Sequence, residues 1–190
     1  MQAAAVILAA GASTRFGSPK QLALIDGRTM LEMVAATATT AGLSPVLAVV
    51  PPGLDVPDGV VPVVNDRPED GISRSIRLGL AAVPAGVEAA LILLGDEPLM
   101  DVEAIRRAIA PARDHGAEIV ATRVGDRLGP PVLVVRDRFD LADAAKEDHG
   151  LGPMLRHLSG VKVVEMSASP IDVDTPEDLD RIARADPQHR

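Results

Sequence analysis

The stretch 6–22 constrains the fold and the chemistry of this chain more than any other. Residues 4–9 form an apolar run of the length of a β-strand, and the run ends at Gly11. The small residues that follow carry two cations, Arg15 and Lys20. Ligands of open α/β sheets bind beyond the carboxyl ends of the strands. The amides of a glycine-containing turn, together with Arg and Lys, suit a polyphosphate. A turn with two solvated cations is the alternative.

Neither of the two common phosphate-binding loops fits this stretch. A P-loop beginning at Gly11 requires a second glycine where Phe16 stands. The dinucleotide fingerprint requires glycines at the positions of Ser13 and Phe16. The predicted polyphosphate site is therefore of a different kind.

Apolar β-type runs alternate with helical patterns along the whole chain. Leu31, Val34, Ala35 and Ala38 follow helical spacing. Such alternation predicts an α/β fold with three layers and a mostly parallel sheet, in a single domain over residues 1–190. The ranges predicted as strands are 46–50, 60–64, 89–94, 118–122 and 161–166, and those predicted as further helices are about 73–83 and 139–146, with another that begins after Asp101.

Composition excludes several classes of partner. The formal net charge is −8 and aromatic residues make up 1%. Because no block of Lys or Arg occurs, we expect no nucleic-acid binding. No apolar run approaches the roughly 20 residues of a membrane helix, so we expect no membrane association and a cytoplasmic location. The absence of cysteine excludes thiolate chemistry.

Acidic residues follow two of the predicted strands. The uninterrupted apolar run 89–94 ends at Gly95 and Asp96. A carboxylate at the tip of a central strand is well placed to bind Mg²⁺, which takes one or two carboxylates together with substrate phosphates. A strand-end turn residue is the alternative. Further along the chain, Asp172 and Asp174 occupy alternate positions of a strand-like segment, which places them on one face. The segment is followed by Thr175, a predicted helix N-cap.

The N-terminal stretch resembles a signature of the MobA-like nucleotidyltransferase family, L-A-[AG]-G-x-S-x-R-[MF]-G-x-x-K. This family includes the molybdenum cofactor guanylyl- and cytidylyltransferases. The resemblance implies a Rossmann-like fold of the nucleotide-diphospho-sugar transferase type. It also implies that the backbone of the first four positions faces the base, and that Ala10 favours CTP over GTP. The matching residues are Leu8, Ala9, Ala10, Gly11, Ser13, Arg15, Phe16, Gly17 and Lys20.

Further motifs of the same family occur in the same order. Residues 71–80 resemble G-x-x-S-S-[LI]-x-x-G-[LI] and include Ser75, and the upstream Asp or Asn that would contact the nucleotide is assigned to Asp66. A helix start capped by Ser73 is the alternative. Asp96 matches the metal ligand in G-D-[MQ]-P, and Asp174 matches the second ligand in D-I-D-T-P-E-D-L. Two residues depart from the pattern, Glu97, which would add a ligand or face solvent, and Pro130, which stands where histidine is frequent.

The resemblance implies a Mg²⁺-dependent enzyme that moves CMP from CTP to molybdopterin and releases pyrophosphate. Asp96 and Asp174 would hold Mg²⁺, Lys20 the α-phosphate and Arg15 the β- and γ-phosphates. Asp66 and Ser75 would orient the nucleotide or the acceptor. A molybdoenzyme or a cofactor-delivery protein would be a further partner.

Two alternatives to this function remain open. Cytidylyltransferases for sugar or polyol phosphates share L-A-A-G-x-x-x-R and the P-K-Q at residues 19–21. A non-catalytic nucleotide-binding chaperone would keep the pocket without turnover.

Overall fold

The computed structural model describes residues 1–11, 20–144, 152–166, 173, 175 and 177–179. Nine strands and five helices are assigned within these residues. The strands are β1 (Ala3–Leu8), β2 (Leu24–Ile25), β3 (Arg28–Thr29), β4 (Val46–Val50), β5 (Val60–Val64), β6 (Ala89–Leu94), β7 (Ile119–Val124), β8 (Arg127–Val135) and β9 (Val161–Glu165). The helices are α1 (Met30–Thr40), α2 (Ile72–Ala81), α3 (Val102–His115), α4 (Leu141–Ala144) and α5 (Gly152–Leu155).

Seven strands form one sheet in the order β5-β4-β1-β6-β8-β7-β9. The neighbours from β5 to β6 are parallel, and so are β7 and β9. Only β8 runs antiparallel to its two neighbours among the described strands. The predicted mostly parallel sheet is therefore confirmed. The short strands β2 and β3 form a separate hairpin.

Helices cover both faces of the sheet. On one face, α1 and α3 pack through Leu31 and Ile105 against alternate residues of the central strands. On the other face, α2 and α4 pack through Ile76 and Leu141 against the intervening residues. Every residue of β1 is buried, which explains its unbroken apolar run. These three layers match the α/β/α architecture expected from the alternation of strands and helices.

A glycine lets α2 approach the sheet closely. A Cβ atom on Gly79 would overlap Cγ1 of Val6 in β1. The missing side chain therefore lets the last turn of α2 pack directly on β1. Within the described part of the chain, no helix has the length and apolarity needed to span a bilayer.

Candidate active site

A cleft of about 400 Å³ opens at the carboxyl ends of β1 and β6. The first turn of α2 and the 3₁₀ turn Lys20–Leu22 form part of its wall. This is the edge at which ligands bind in parallel α/β sheets. Six of the residues predicted from the sequence line it: Leu8, Ala10, Gly11, Lys20, Ser75 and Asp96.

Backbone contacts hold the two strand ends together below the cleft. The amide of Gly95 donates to the carbonyl of Leu8 at 2.9 Å, and the amide of Ala9 donates to the carbonyl of Val49 at 2.8 Å. A Cβ atom on Gly95 would lie 3.0 Å from Cβ of Ala9 and 3.1 Å from the carbonyl oxygen of Leu8. Glycine at this position therefore brings Asp96 close to the end of β1. Ala9 itself is buried in the core behind the cleft.

Lys20 and Asp96 meet inside the cleft. Nζ of Lys20 lies 2.6 Å from Oδ2 of Asp96, which is an ion pair and a hydrogen bond. Their side chains are 14% and 25% exposed, so the pair is shielded on most sides and open to the cleft. The structure thus brings together a cation and a carboxylate that the sequence analysis assigned to one site.

Gln21 fixes the start of the predicted polyphosphate loop. Its side chain is buried, and Nε2 donates to the carbonyl of Gly11 at 3.4 Å. Gln21 therefore ties Gly11 to the residues around Lys20 on the far side of the loop. The sequence analysis assigned no role to Gln21, although the P-K-Q tripeptide pointed to it.

Several predicted site residues lie outside the described part of the chain. Ser13, Arg15 and Asp174 belong to this group. The described residue immediately before Asp174 is Val173, which is buried and whose amide donates to the carbonyl of Asp96 at 3.0 Å. The chain immediately before residue 174 therefore lies against the end of β6.

The chemistry of the cleft fits a hard divalent cation. The carboxylate of Asp96 supplies oxygen donors at the tip of β6, and such oxygens are the ligands that Mg²⁺ prefers. No group of three or more metal-ligating side chains occurs among the described residues. A metal at Asp96 would therefore need further ligands from residues 174 onward, from substrate phosphates or from water.

The predicted role of Asp66 is not matched by its position. Asp66 is 66% exposed, and its Oδ1 accepts a hydrogen bond from Arg74 at 2.6 Å. It does not contribute to the lining of the cleft. The guanidinium of Arg74 lowers the pKa of Asp66 by hydrogen bonding to the ionised carboxylate. The adjacent Asn65, in contrast, is fully buried and binds Ser75, so the residue that contacts this side chain of the cleft wall is the amide and not the acid.

The structure also places three other positions named in the sequence analysis, Glu97, Ser73 and Pro130. Glu97 is 6% exposed, so its side chain is buried and does not face solvent. Gly71, not Ser73, stands at the N-cap of α2, and Ser73 is buried within the first turn. Pro130 lies in β8, where it contributes no side chain to the lining of the cleft.

Comparison with protein-family models identifies the family of this chain. A model of the MobA-like NTP transferase domain matches residues 5–163. The chain belongs to this family. The match begins within β1 and ends within β9, so it includes all or part of every strand of the main sheet and both strand ends that carry the cleft.

The relatives of this MobA-like chain include a cytidylyltransferase and a bifunctional protein. A 2-C-methyl-D-erythritol 4-phosphate cytidylyltransferase of Cereibacter sphaeroides is 36% identical over 155 residues, which are 74% of this chain and 69% of that protein. The bifunctional protein GlmU of Xanthobacter autotrophicus is 35% identical over 182 residues, which are 85% of this chain and 40% of GlmU. The chain spans less than half the length of the GlmU proteins that it matches.

Solved structures share the whole fold of the MobA-like chain. Rv0371c of Mycobacterium tuberculosis H37Rv superposes with a TM-score of 0.80 at 28% identity, covering 98% of this chain and 100% of that one. A second structure of Rv0371c is a complex with manganese and has a TM-score of 0.78 at 27% identity, with the same coverage.

Proposed function

We propose that the protein is a cytidylyltransferase that moves CMP from CTP to a phosphorylated sugar or polyol and releases pyrophosphate. The observation that carries this proposal is the Lys20–Asp96 pair at the open edge of β1 and β6, inside a cleft lined by the family signature. Support for the acceptor class comes from the 36% identical cytidylyltransferase, whose named substrate is a polyol phosphate.

The chemistry requires one bond to form and one to break. A phosphate oxygen of the acceptor attacks the α-phosphorus of CTP, and the bond from that phosphorus to the α,β-bridging oxygen breaks. The electron pair leaves with pyrophosphate. Both reactants are anions, so positioning and charge neutralisation are the main tasks of the protein.

The residues of the chain divide these tasks. Lys20 binds the α-phosphate and the bridging oxygen, where negative charge accumulates as pyrophosphate leaves. Arg15 binds the β- and γ-phosphates. The backbone from Leu8 to Gly11, with Ser13, faces the base and the sugar, and Ser75 orients the bound nucleotide or the acceptor.

Asp96 and Asp174 are proposed to hold Mg²⁺. The hydrogen bond between the Val173 amide and the Asp96 carbonyl supports this pairing, because it fixes the chain next to residue 174 at the end of β6. A bound divalent ion supplies positive charge to the triphosphate. The manganese complex of the related Rv0371c is consistent with a divalent ion in this family.

A molybdopterin acceptor is the second candidate. It is favoured by the family model itself, which is MobA-like, and by the match of the residues from Leu8 to Lys20 to the signature of the molybdenum cofactor enzymes. The presence of both Asp96 and Asp174, the proposed metal ligands, argues against a non-catalytic chaperone.

Pyrophosphate release tests the proposal and separates the acceptors. The purified protein is incubated with Mg²⁺, with each of CTP, UTP, GTP and ATP, and with one acceptor at a time. The acceptors are 2-C-methyl-D-erythritol 4-phosphate, a set of sugar 1-phosphates, other polyol phosphates and molybdopterin. We expect release to be fastest with CTP and a sugar or polyol phosphate, and to be lost in Lys20→Ala. Release with molybdopterin alone would favour the second candidate, and no release with any pair would contradict the enzyme assignment.

A further inference from the structure

Asn65 is a fully buried polar residue at the end of β5, next to the cleft but not part of its lining. Its backbone amide donates to the carbonyl of Val50 at 2.8 Å, which continues the β4–β5 pairing by one residue. Its side chain makes three hydrogen bonds, to Ser75, to Arg74 and to the amide of Arg67. A buried side-chain amide with this many partners holds one orientation.

The partners of Asn65 determine which way its amide faces. Oδ1 lies 3.1 Å from the backbone amide of Arg67 and 2.9 Å from Nε of Arg74. Both groups can only donate a hydrogen bond, so the oxygen and not the nitrogen of the amide must face them. Nδ2 is thereby directed at Oγ of Ser75, at 3.0 Å. Because the amide nitrogen has no lone pair to offer, Ser75 must be the acceptor in this bond.

The hydroxyl hydrogen of Ser75 is consequently available for a different partner. On α1, the hydroxyls of Thr39 and Thr40 donate to carbonyl oxygens four residues earlier, at 2.9 and 2.8 Å. Ser75 makes no such bond to the described residues of its own helix, and it lines the cleft. Its O–H group is therefore presented to whatever occupies the cleft.

Arg74 makes the arrangement rigid. Its guanidinium is bound by Asp66 at 2.6 Å, with Asp70 at 3.9 Å, while its Nε donates to Asn65. The exposed acids thus act on the cleft indirectly, through Arg74 and then Asn65. This accounts for an Asn-Asp pair before α2 in which only the asparagine reaches the serine.

We infer that Asn65 is a positioning residue that sets Ser75 as a hydrogen-bond donor, so that the substrate group that receives the Ser75 hydrogen is an acceptor such as a phosphate or carbonyl oxygen. The inference rests on the proposed function. It adds to that function that the cleft selects a hydrogen-bond acceptor on the substrate at the position facing Ser75. The oxygen belongs either to the nucleotide or to the phosphorylated acceptor, and the two are separated by which substrate loses affinity.

Asn65→Asp reverses the direction of the hydrogen bond to Ser75 without changing the shape of the side chain at position 65. One carboxylate oxygen still accepts from Arg67 and Arg74, while the other accepts the Ser75 hydrogen and turns the serine lone pairs toward the cleft. We expect CTP affinity, or the KM for the acceptor, to worsen by about tenfold. The melting temperature should hold or rise, since the new charge faces Arg74. A merely structural role would instead change stability and affinity together.

Ser75 variants provide the matched controls. Ser75→Thr keeps the hydroxyl and should bind within about twofold of wild type, whereas Ser75→Ala should lose about three- to tenfold. Ser73→Ala removes another buried hydroxyl from the same helix, one that is not bonded to Asn65. It should change neither the CTP affinity nor the acceptor KM.

A double-mutant cycle separates the hydrogen bond from a general effect of charge. Affinities are measured by calorimetry with CTP and Mg²⁺, and acceptor KM values by pyrophosphate release. If Asn65 acts through Ser75, Asn65→Asp should cause no further loss in the Ser75→Ala background. An equal loss in both backgrounds, or wild-type behaviour of Asn65→Asp, would overturn the inference. Failure of the wild-type protein to bind any of the four nucleoside triphosphates would instead overturn the proposed function.

Discussion

Nζ of Lys20 lies 2.6 Å from Oδ2 of Asp96, although 76 positions separate the two residues in the sequence. The pair joins the loop after β1 to the end of β6, and both side chains remain partly open to the cleft. In the proposed reaction the ammonium and a divalent cation need the same carboxylate. Binding of a metal and the triphosphate would therefore shift the lysine from Asp96 toward the phosphate oxygens.

Removal of the lysine should increase the affinity of the nucleotide-free protein for a divalent ion. A positive charge at 2.6 Å from the carboxylate opposes a second cation at that site. We expect Lys20→Ala to bind Mn²⁺ several-fold more tightly than wild type, as measured by the electron paramagnetic resonance signal of the free ion. Lys162→Ala removes an exposed lysine from β9 and is the control. Unchanged or weaker Mn²⁺ binding by Lys20→Ala would place the metal away from Asp96.

The same substitution should slow the chemical step. The charge on Lys20 is needed most when pyrophosphate departs, so we expect kcat to fall by about 10²–10³-fold and the KM for CTP to change much less. Steady-state kinetics of pyrophosphate release measure both values, again with Lys162→Ala as the control. An effect confined to KM would assign Lys20 to ground-state binding.

Loss of the Asp96 carboxylate should abolish turnover without unfolding the protein. The side chain is 25% exposed, and its backbone carbonyl still accepts from Val173 in the variant. We expect Asp96→Ala to lower kcat by at least about 10²-fold, with a cooperative unfolding transition retained in circular dichroism. Asp55→Ala, at an exposed acid remote from the cleft lining, should keep full activity. Normal turnover by Asp96→Ala would remove this residue from the metal site.

Gly79 should not tolerate even a methyl group. Alanine stabilises most helix interiors relative to glycine by about 0.5–1 kcal/mol. At Gly79, however, the added Cβ would overlap Val6, so we expect Gly79→Ala to destabilise the protein by about 1–3 kcal/mol. Urea denaturation measures this change. Gly86→Ala, where a Cβ meets no atom within 4 Å, is the control and should be nearly neutral. A stabilised Gly79→Ala would contradict the close packing of α2 on β1.

Asp66 should stabilise the fold only at pH values at which its carboxyl group is ionised. Arg74 holds the pKa of the Asp66 carboxyl below its ordinary value. A group with a lowered folded-state pKa stabilises the fold above its unfolded-state pKa, which for Asp is about 3.9, and this stabilisation is lost as the pH falls through the folded-state value.

Thermal unfolding from pH 7 to pH 2 tests this linkage. Wild type should melt at a higher temperature than Asp66→Asn near neutral pH, and the two melting temperatures should converge below about pH 4. Asp58→Asn changes another exposed acid and serves as the control. A constant difference between wild type and Asp66→Asn at all pH values would show that the ionised Arg74 pair is not its source.

Features that depend on local pattern and on strand ends could be predicted from the sequence. The buried run at β1 and the carboxylate after β6 needed only apolar length and the rule that parallel strands end at one edge, which together placed Lys20 and Asp96 in one cleft. The cap at Thr175 was equally local. Its Oγ1 accepts from the Asp178 amide at 3.3 Å, and its own amide donates to Oδ2 of Asp178 at 2.9 Å.

The antiparallel strand β8 was not predictable in the same way. Pro130 and Pro131 interrupt its pattern and lack the amide donors that a strand needs. In the structure they fall at an irregularity, because Ala121 pairs with Val132 while Thr122 already pairs with Gly129. The two prolines are thereby left outside the β7–β8 ladder, where no amide hydrogen is required.

The identity of the polar residue beside Ser75 also depended on tertiary contacts. Asn65 and Asp66 are neighbours at the end of β5, and sequence gives no rule for which one turns inward. The structure turns the neutral amide into the protein and leaves the acid on the surface with Arg74. The amide offers an acceptor to Arg67 and Arg74 and a donor to Ser75, so it satisfies all three partners at this buried position without an ionised group.

The fate of the CTP phosphates tests the central claim most directly. CTP labelled with ³²P at either the α- or the γ-position is incubated with the wild-type protein, Mg²⁺ and the acceptor that gives the fastest pyrophosphate release. The account predicts that the α-label enters the acceptor product and that the γ-label appears only in pyrophosphate. Both the labelled product and the labelled pyrophosphate should be lost in Lys20→Ala. Entry of the γ-label into the acceptor, or release of both labels without any labelled acceptor product, would contradict nucleotidyl transfer at the Lys20–Asp96 site.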